Sequence, residues 1–264
     1  ISIRLPFFVY AATLGAAVVV VITTLSRSQL FAAPTRAKGR AADQPSSWTL
    51  LREALRDRAY VTALSVNLGN GFTSFGLRSA LVPLFVVNSL GLPAAWAGYG
   101  ALASAAVQAP LLSRAGRTTD TKGRRLAMSI GTGVTGIGFL VLAGTSGLWL
   151  YLVAMGVLGA GAAFLGAGPS AVVGDITGGR REGPVVATFQ MMADVGAIIG
   201  PLIAGAIVTV TGSYSAGFLV GAGILAVTFT LAATMPETLH RQGAHHHDTT
   251  PVTTDGIDGQ TAET

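Results

Sequence analysis

The chain has 264 residues, of which 50% are hydrophobic and 11% are charged, well below the roughly 25% charged residues of soluble domains. This composition argues against a water-soluble enzyme and favours helices packed in lipid, where the 35 glycines let helix backbones approach closely. The net charge of +5 comes from basic residues that flank apolar runs, so no nucleic-acid partner is predicted, and the lack of cysteine excludes disulfides.

Seven long apolar runs divide the chain, and each is close to or above the roughly 18–20 residues that cross ~30 Å of hydrocarbon as a helix. Of the 17 Lys and Arg residues, 15 lie in every second gap between runs or after the last run. The exceptions are Arg4 and Arg78. Because basic loops stay on the cytoplasmic side, the pattern predicts a multi-pass plasma-membrane protein with its N-terminus outside and its C-terminus in the cytoplasm. The runs are residues 5–25, 60–87, 94–113, 126–144, 148–173, 184–210 and 214–235.

Residues 1–25 are predicted to be a transmembrane helix that precedes a central loop. A secretory signal peptide is the alternative, but the apolar stretch exceeds the usual 7–15 residues and no small-residue cleavage site follows it. The chain begins with Ile1 rather than Met. We therefore expect it to be part of a longer protein, with N-terminal helices that are missing here.

Residues 26–59 are predicted to be the cytoplasmic central loop. In its second half Trp48, Leu51 and Leu55 share one helical face, which indicates a short helix lying on the membrane surface. A solvated helix with one apolar side is the alternative interpretation.

Residues 60–236 are predicted to form a six-helix transmembrane bundle, and residues 237–264 a disordered cytoplasmic tail, because the tail is polar and lacks apolar periodicity. The tail contains three consecutive histidines, His245 to His247, but no metal site is predicted from a flexible segment. The sequence contains no phosphate loop, nucleophile elbow or metal signature, so neither an enzyme nor a cofactor is predicted.

The connector between the third and fourth runs reads Gly-Arg-Thr-Thr-Asp-Thr-Lys-Gly-Arg-Arg, from Gly116 to Arg125. Gly116 and Gly123 are predicted to permit turns, and Asp120 to accept hydrogen bonds from a helix N-terminus or to pair with an Arg. Anchoring of the basic residues in the cytoplasm is the simpler alternative. The spacing resembles the cytoplasmic loop signature of the major facilitator superfamily, which implies that Asp120, Arg124 and Arg125 help to close a cytoplasmic gate.

The sixth run contains Gly-Ala-Ile-Ile-Gly-Pro-Leu-Ile-Ala-Gly, with glycines at Gly196, Gly200 and Gly205. Gly196 and Gly200 are predicted to give a flat face for a neighbouring helix, and Pro201 to bend the span. The segment resembles the Gly-x-x-x-Gly-Pro helix of drug-proton antiporters in the same superfamily. A pure packing motif is the alternative.

Polar side chains inside apolar runs are costly and usually face the bundle interior or a water path. Asp194 lies ten residues, or about 15 Å, into the sixth run. It is therefore predicted to take part in proton coupling or to attract a cationic substrate, and Gln190 would face the same side. A structural ion pair is the alternative for Asp194.

Four further polar residues are candidates for the substrate pathway: Asn67, Asn70, Arg78 and Gln108. Interhelical hydrogen bonds are the alternative for the two asparagines. For Arg78 the alternative is snorkelling to the outer interface.

The resemblance covers residues 5–236 and implies an all-α integral membrane fold. Its seven transmembrane helices would be the last helix of the N-terminal half and the six-helix C-terminal half of a major facilitator transporter. The implied function is proton-coupled export of small amphipathic molecules or drugs by alternating access, with the lipid bilayer, a small-molecule substrate and protons as partners. Uptake of a sugar or metabolite is an alternative. A half-transporter that acts as a membrane sensor or assembly partner is another.

Overall fold

The structure is a computed structural model that describes residues 47–177 and 183–239, together with Gly15, Val19 and Thr23. Contacts divide the chain into two units at residues 45 and 46. In the first unit the three described residues are helical, and the Thr23 hydroxyl donates to the Val19 carbonyl at 2.9 Å. The predicted helix 1–25 and tail 240–264 otherwise lie outside the described residues.

The described part of the second unit is helical, without a strand. A short helix comes first and a broken helix follows it, which we call the broken span (residues 58–88). Five long helices complete the unit. The elements are α1 (Ser47–Ala54), α2 (Arg58–Asn70), a π segment (Gly71–Leu77), α3 (Arg78–Asn88), α4 (Ala95–Lys122), α5 (Arg124–Ala143), α6 (Leu148–Thr177), α7 (Gly183–Thr211) and α8 (Tyr214–Thr234).

Four helices of the described part, α5 to α8, are long and apolar enough to cross a membrane. The broken span and α4 cover the predicted second and third runs, but they carry more polar residues. The all-helical membrane architecture predicted from the sequence is therefore confirmed.

The expected turn at Gly116 is wrong, because α4 continues as one helix through the predicted connector to Lys122. Ala115 and Thr119, one helical turn apart, are buried at 0% and 2% exposure. This packing holds the extra turns in place beyond the apolar run. Only Gly123, with φ +107°, provides the turn into α5, in a region of backbone space that favours glycine.

The broken span changes from α-helical to π-helical geometry at Gly71. A side chain at Gly71 would collide with the Ala193 carbonyl, and a Cβ at Gly76 would lie 2.8 Å from the Cα of Gly200. The two glycines therefore allow α7 to lie directly against the backbone of the π segment. π-helices are rare and appear mostly as single-turn bulges inside α-helices, frequently at functional sites.

The largest apolar cluster lies between the broken span, α5, α6 and α8. The Phe85 ring meets Phe218 edge-on at 5.2 Å, and Phe139 and Tyr151 are fully buried beside them. Edge-to-face aromatic pairs of this kind add about 0.5–1.5 kcal/mol beyond their buried area. The cluster fixes α3 relative to the rest of the bundle.

The short helix α1 only partly matches the predicted surface helix. Leu51 and Ala54 pack near Val185 at the start of α7, whereas Trp48 is 72% exposed and Leu55 is 46% exposed. The packed face is therefore shifted from the one that the sequence pattern indicated, because Ala54 is small enough to approach α7.

The contact between α7 and the π segment gives a stability prediction. A Cβ at Gly200 would lie 2.7 Å from both the Gly76 Cα and the Phe72 carbonyl oxygen. We expect Gly200→Ala to separate the helices and to destabilise the protein by about 1–3 kcal/mol. The midpoint of thermal aggregation in detergent measures the effect.

The matched control is Gly205→Ala, on the same helix, where an added methyl meets no atom within 4 Å among the described residues. This variant should retain or slightly raise the midpoint, because alanine has the better helix propensity. Equal losses for the two variants would contradict the close approach at Gly200.

Candidate functional site

Polar residues of the broken span and of α7 lie at the same level of the bundle. The Asn67 side-chain amide donates to the Phe189 carbonyl at 2.6 Å, and Gly71 touches the backbone of Ala193 one turn further along. Asp194, which follows Ala193, therefore lies approximately level with Gly71 and Phe72, within one helical turn of Asn70. The glycine contacts fix this register, since any side chain at Gly71 would force α7 away.

Asp194 is exposed, and no ion pair joins it to another residue of the described ranges. Gln190, four residues earlier on the same side of α7, is also exposed. An unpaired carboxylate at this depth is stable only where water or a solute reaches it.

A polar stripe runs along the broken span through Asn70, Ser74 and Arg78, which follow one another at intervals of four residues. The Ser74 hydroxyl donates to Asn70 Oδ1 at 2.9 Å. All three residues are half-buried. Sequence analysis identified the two ends of this stripe but missed Ser74, because a single serine within a helix is an ordinary packing residue.

The Arg78 guanidinium is directed across to α4, where Nη1 donates to Ser104 Oγ at 3.3 Å. Ser104 is 3% exposed, so the Arg78 side chain contacts a buried group on the neighbouring helix. Gln108 lies one turn beyond Ser104 on α4 and is half-buried.

At the Gly123 end of the bundle, Arg124 forms a buried ion pair that joins α5 to α6. Its Nε donates to Asp175 Oδ2 at 2.8 Å and its Nη2 to Oδ1 at 3.2 Å. Its Nη1 donates to the Thr119 carbonyl at 2.8 Å. The side chains of Arg124 and Asp175 are 8% and 2% exposed. Asp120 is a marginal second partner, at 3.8 Å and with 72% of its side chain exposed.

Glu237 takes the role at the helix N-terminus that the sequence assigned to Asp120. Its Oε1 accepts the Arg124 backbone N–H at 2.9 Å and its Oε2 that of Arg125 at 3.3 Å, while the Thr238 hydroxyl donates to Asp175 at 3.0 Å. A carboxylate at these orphan donors stabilises a helix start. Sequence analysis missed it because Glu237 is more than one hundred residues from the helix that it caps.

The predicted packing motif on α7 divides into two parts. Gly196 and Gly200 touch the broken span, and the Pro201 ring lies 3.3 Å from the position that a Cβ on Gly76 would take. The helix continues through Pro201 without a break. Gly205 is exposed, and a Cβ added there would meet no atom within 4 Å among the described residues.

Two apolar grooves of about 690 and 490 Å³ lie on either side of α8. The larger is bounded by the broken span and the smaller by α5, and neither includes Asp194 or Arg78. These two grooves are therefore separate from the polar residues that could bind a charged group.

Comparison with known families identifies the fold. Residues 68–254 match the profile of the Major Facilitator Superfamily. The search of curated proteins found no match.

Solved structures support the same fold. One, from a study of substrate recognition in proton-dependent oligopeptide transporters, has a TM-score of 0.59 and 21% identity, over 69% of this chain and 43% of that chain. Tetrameric PepTSo2 in the I4 space group gives 0.59 and 21%, over 71% of this chain and 42% of that chain. The chain thus spans less than half the length of these transporters. It belongs to the Major Facilitator Superfamily, as a multi-pass membrane protein of a transporter family rather than an enzyme.

Proposed function

We propose that this chain is the C-terminal portion of a proton-coupled secondary transporter that exports small amphipathic molecules. The observation that carries the proposal is Asp194, an exposed carboxylate on α7 that lies approximately level with Gly71 and within one helical turn of Asn70. Transporters of this type bind their substrates near the bilayer midplane. Protonation of Asp194 would couple the proton gradient to substrate release, and Gln190 would assist by hydrogen bonding.

Alternating access requires a second half that packs against the exposed side of this bundle. In the apolar stretch of α7, 17% is buried inside the bundle, whereas the corresponding share is 44% for α5 and α6 and 39% for α8. A helix with so much uncovered surface suits a moving interface. We propose that the missing N-terminal helices of the same protein cover it, with residues 60–236 as one rocking unit.

The Gly123 turn would lie on the cytoplasmic side, as the distribution of basic residues predicts, in the plasma membrane and with the N-terminus outside. There Arg124, Arg125 and Asp120 would form the gate. The ion pair between Arg124 and Asp175 would hold α5 and α6 together at the Gly123 end of the bundle while the two halves separate. Gly116 would act as a small contact surface on α4 rather than as a turn.

Uptake of a metabolite is the second candidate. It is favoured by the likeness to proton-dependent oligopeptide transporters, and by the presence of both a carboxylate and a guanidinium within the helices of this chain. A half-transporter that serves as a sensor would need neither proton movement nor a second half.

Reconstitution of the complete protein in liposomes that contain a pH dye tests the proposal. Addition of an amphipathic substrate should start proton movement that stops when the proton gradient is collapsed. Movement of substrate against its own concentration gradient that persists without a proton gradient, or protein that moves neither substrate nor protons, would contradict proton-coupled transport. The direction of coupled flux separates export from uptake.

A further inference from the structure

We infer that Arg78 and Ser104 form a binding site for the anionic group of an amphiphilic substrate, a carboxylate in the simplest case. The inference rests on the proposed transport function for its biological meaning. Its basis is the pairing of a half-buried guanidinium with a buried hydroxyl on a neighbouring helix.

Arg78 lacks a countercharge within the described ranges. Its recorded partner is the Ser104 hydroxyl, at 3.3 Å. The ion pairs of the described residues both belong to Arg124. A guanidinium carries five N–H donors and is always charged, so a neutral hydroxyl leaves most of its hydrogen-bonding capacity unused.

The carboxylate of Asp194 does not supply this charge. It lies level with Gly71 of the broken span, whereas Arg78 is seven residues further along, or about 10 Å at the rise of a helix. The other acidic residues of the described part lie in α1, in the connection after it, or around the Gly123 turn. Arg78 is thus set apart as a positive centre.

Ser104 is held rigidly enough to act as part of a site. A side chain at Gly159 would collide with the Ser104 carbonyl, so α6 lies directly against the α4 backbone at this point. The Ser104 hydroxyl accepts from Arg78, and its own proton has no acceptor among the described residues. The pair therefore presents a guanidinium and a hydroxyl donor together, which is the donor set that binds a carboxylate.

The surroundings favour an amphiphile over a small inorganic anion. Phe75, one turn before Arg78, is 63% exposed, and Leu102 on α4 is 65% exposed. Apolar surface beside a charge-assisted hydrogen bond suits a ligand with an aromatic or aliphatic body and one acidic group. Uncharged and cationic analogues of the same body should bind less well.

Equilibrium binding of three matched probes to the complete protein in nanodiscs tests this inference: naphthylacetate, naphthylacetamide and naphthylethylammonium. We expect naphthylacetate to bind about 10-fold or more tightly than the amide, because a charged carboxylate forms stronger hydrogen bonds with a guanidinium than a neutral amide does. Arg78→Gln should remove this preference, and Arg78→Lys should retain part of it. Ser104→Ala should weaken naphthylacetate binding by about 3–10-fold.

Arg117→Gln is the matched control, since it removes an exposed arginine from α4 and should leave the preference unchanged. Equal binding of acid and amide, no binding of the acid up to about 1 mM, or a preference that survives Arg78→Gln would each overturn the inference. A wild type without acid preference would indicate that a carboxylate of the protein itself neutralises Arg78.

If Arg78→Gln fails to fold, the binding of naphthylacetate to Arg78→Lys and Ser104→Ala tests the inference instead. No proton gradient is applied, so the result does not depend on transport. A protein that binds the acid but moves no protons would contradict the proposed function alone.

Discussion

Replacement of Asp194 by Asn should reduce proton-driven transport by the complete protein to background. Asn has the same shape but cannot exchange a proton, and the residue is exposed, so the free energy of unfolding should change by no more than about 0.5 kcal/mol. Exchange of labelled substrate across the membrane without a gradient should continue, because the binding surface remains. Liposome transport with and without an imposed pH gradient separates these two activities.

Glu53→Gln is the control for the Asp194 variant, since it neutralises an exposed carboxylate on α1, outside the spans. This protein should transport normally. Unchanged gradient-driven transport by Asp194→Asn would exclude the residue from proton coupling. Loss of both driven transport and exchange would indicate a role in substrate binding or in structure.

Replacement of Asp175 by Asn should lower the midpoint of thermal unfolding by about 10 °C. The substitution leaves the buried Arg124 guanidinium without its countercharge, and removing one partner of a buried pair costs about 3–5 kcal/mol. The 2.8 Å contact and the 2% exposure of the Asp175 side chain show that this is a buried ion pair. Detergent-solubilised protein followed by size-exclusion chromatography after heating gives the measurement.

Asp120→Asn provides a matched comparison, because it removes the other carboxylate near the same guanidinium. Asp120 is 72% exposed and 3.8 Å away, and exposed pairs contribute roughly 0–1 kcal/mol. We expect a shift of at most about 3 °C for this variant. A larger shift for Asp120→Asn than for Asp175→Asn would reverse the assignment of the structural partner.

Hydropathy and charge were sufficient to predict the helical membrane fold, because helices that cross lipid must be long and apolar. Hydropathy places the end of α4 too early. Hydropathy indicates only the part of a helix that crosses lipid, whereas α4 continues past that part because Ala115 and Thr119 are buried. Hydropathy also cannot predict the π segment, since that geometry depends on the contacts of Gly71 and Gly76 with a helix more than one hundred residues away.

The candidate site was predictable only in part. Asp194 and Arg78 stand out because ionisable groups are rare in apolar runs. The serines beside them, Ser104 and Ser74, do not stand out, because serine is common in membrane helices. The sequence pattern assigns Glu237 to the tail. Its contacts with the start of α5 are set by tertiary packing, which no local pattern reveals.

This chain is expected to cross the membrane several times, with its basic connections in the cytoplasm. The 264 residues of this chain contain no cysteine, so a single cysteine introduced among them labels one position of this part of the protein. Lys122, beside the Gly123 turn, and Ser146, in the turn between α5 and α6, are both exposed. Neither belongs to the residues assigned to substrate or proton binding.

Labelling of Ser146→Cys and Lys122→Cys by a membrane-impermeant maleimide on intact cells tests this claim most directly. The account predicts that Ser146→Cys reacts at once and that Lys122→Cys reacts only after the membrane is permeabilised. Equal labelling of the two positions on intact cells, or labelling of Lys122→Cys alone, would contradict it.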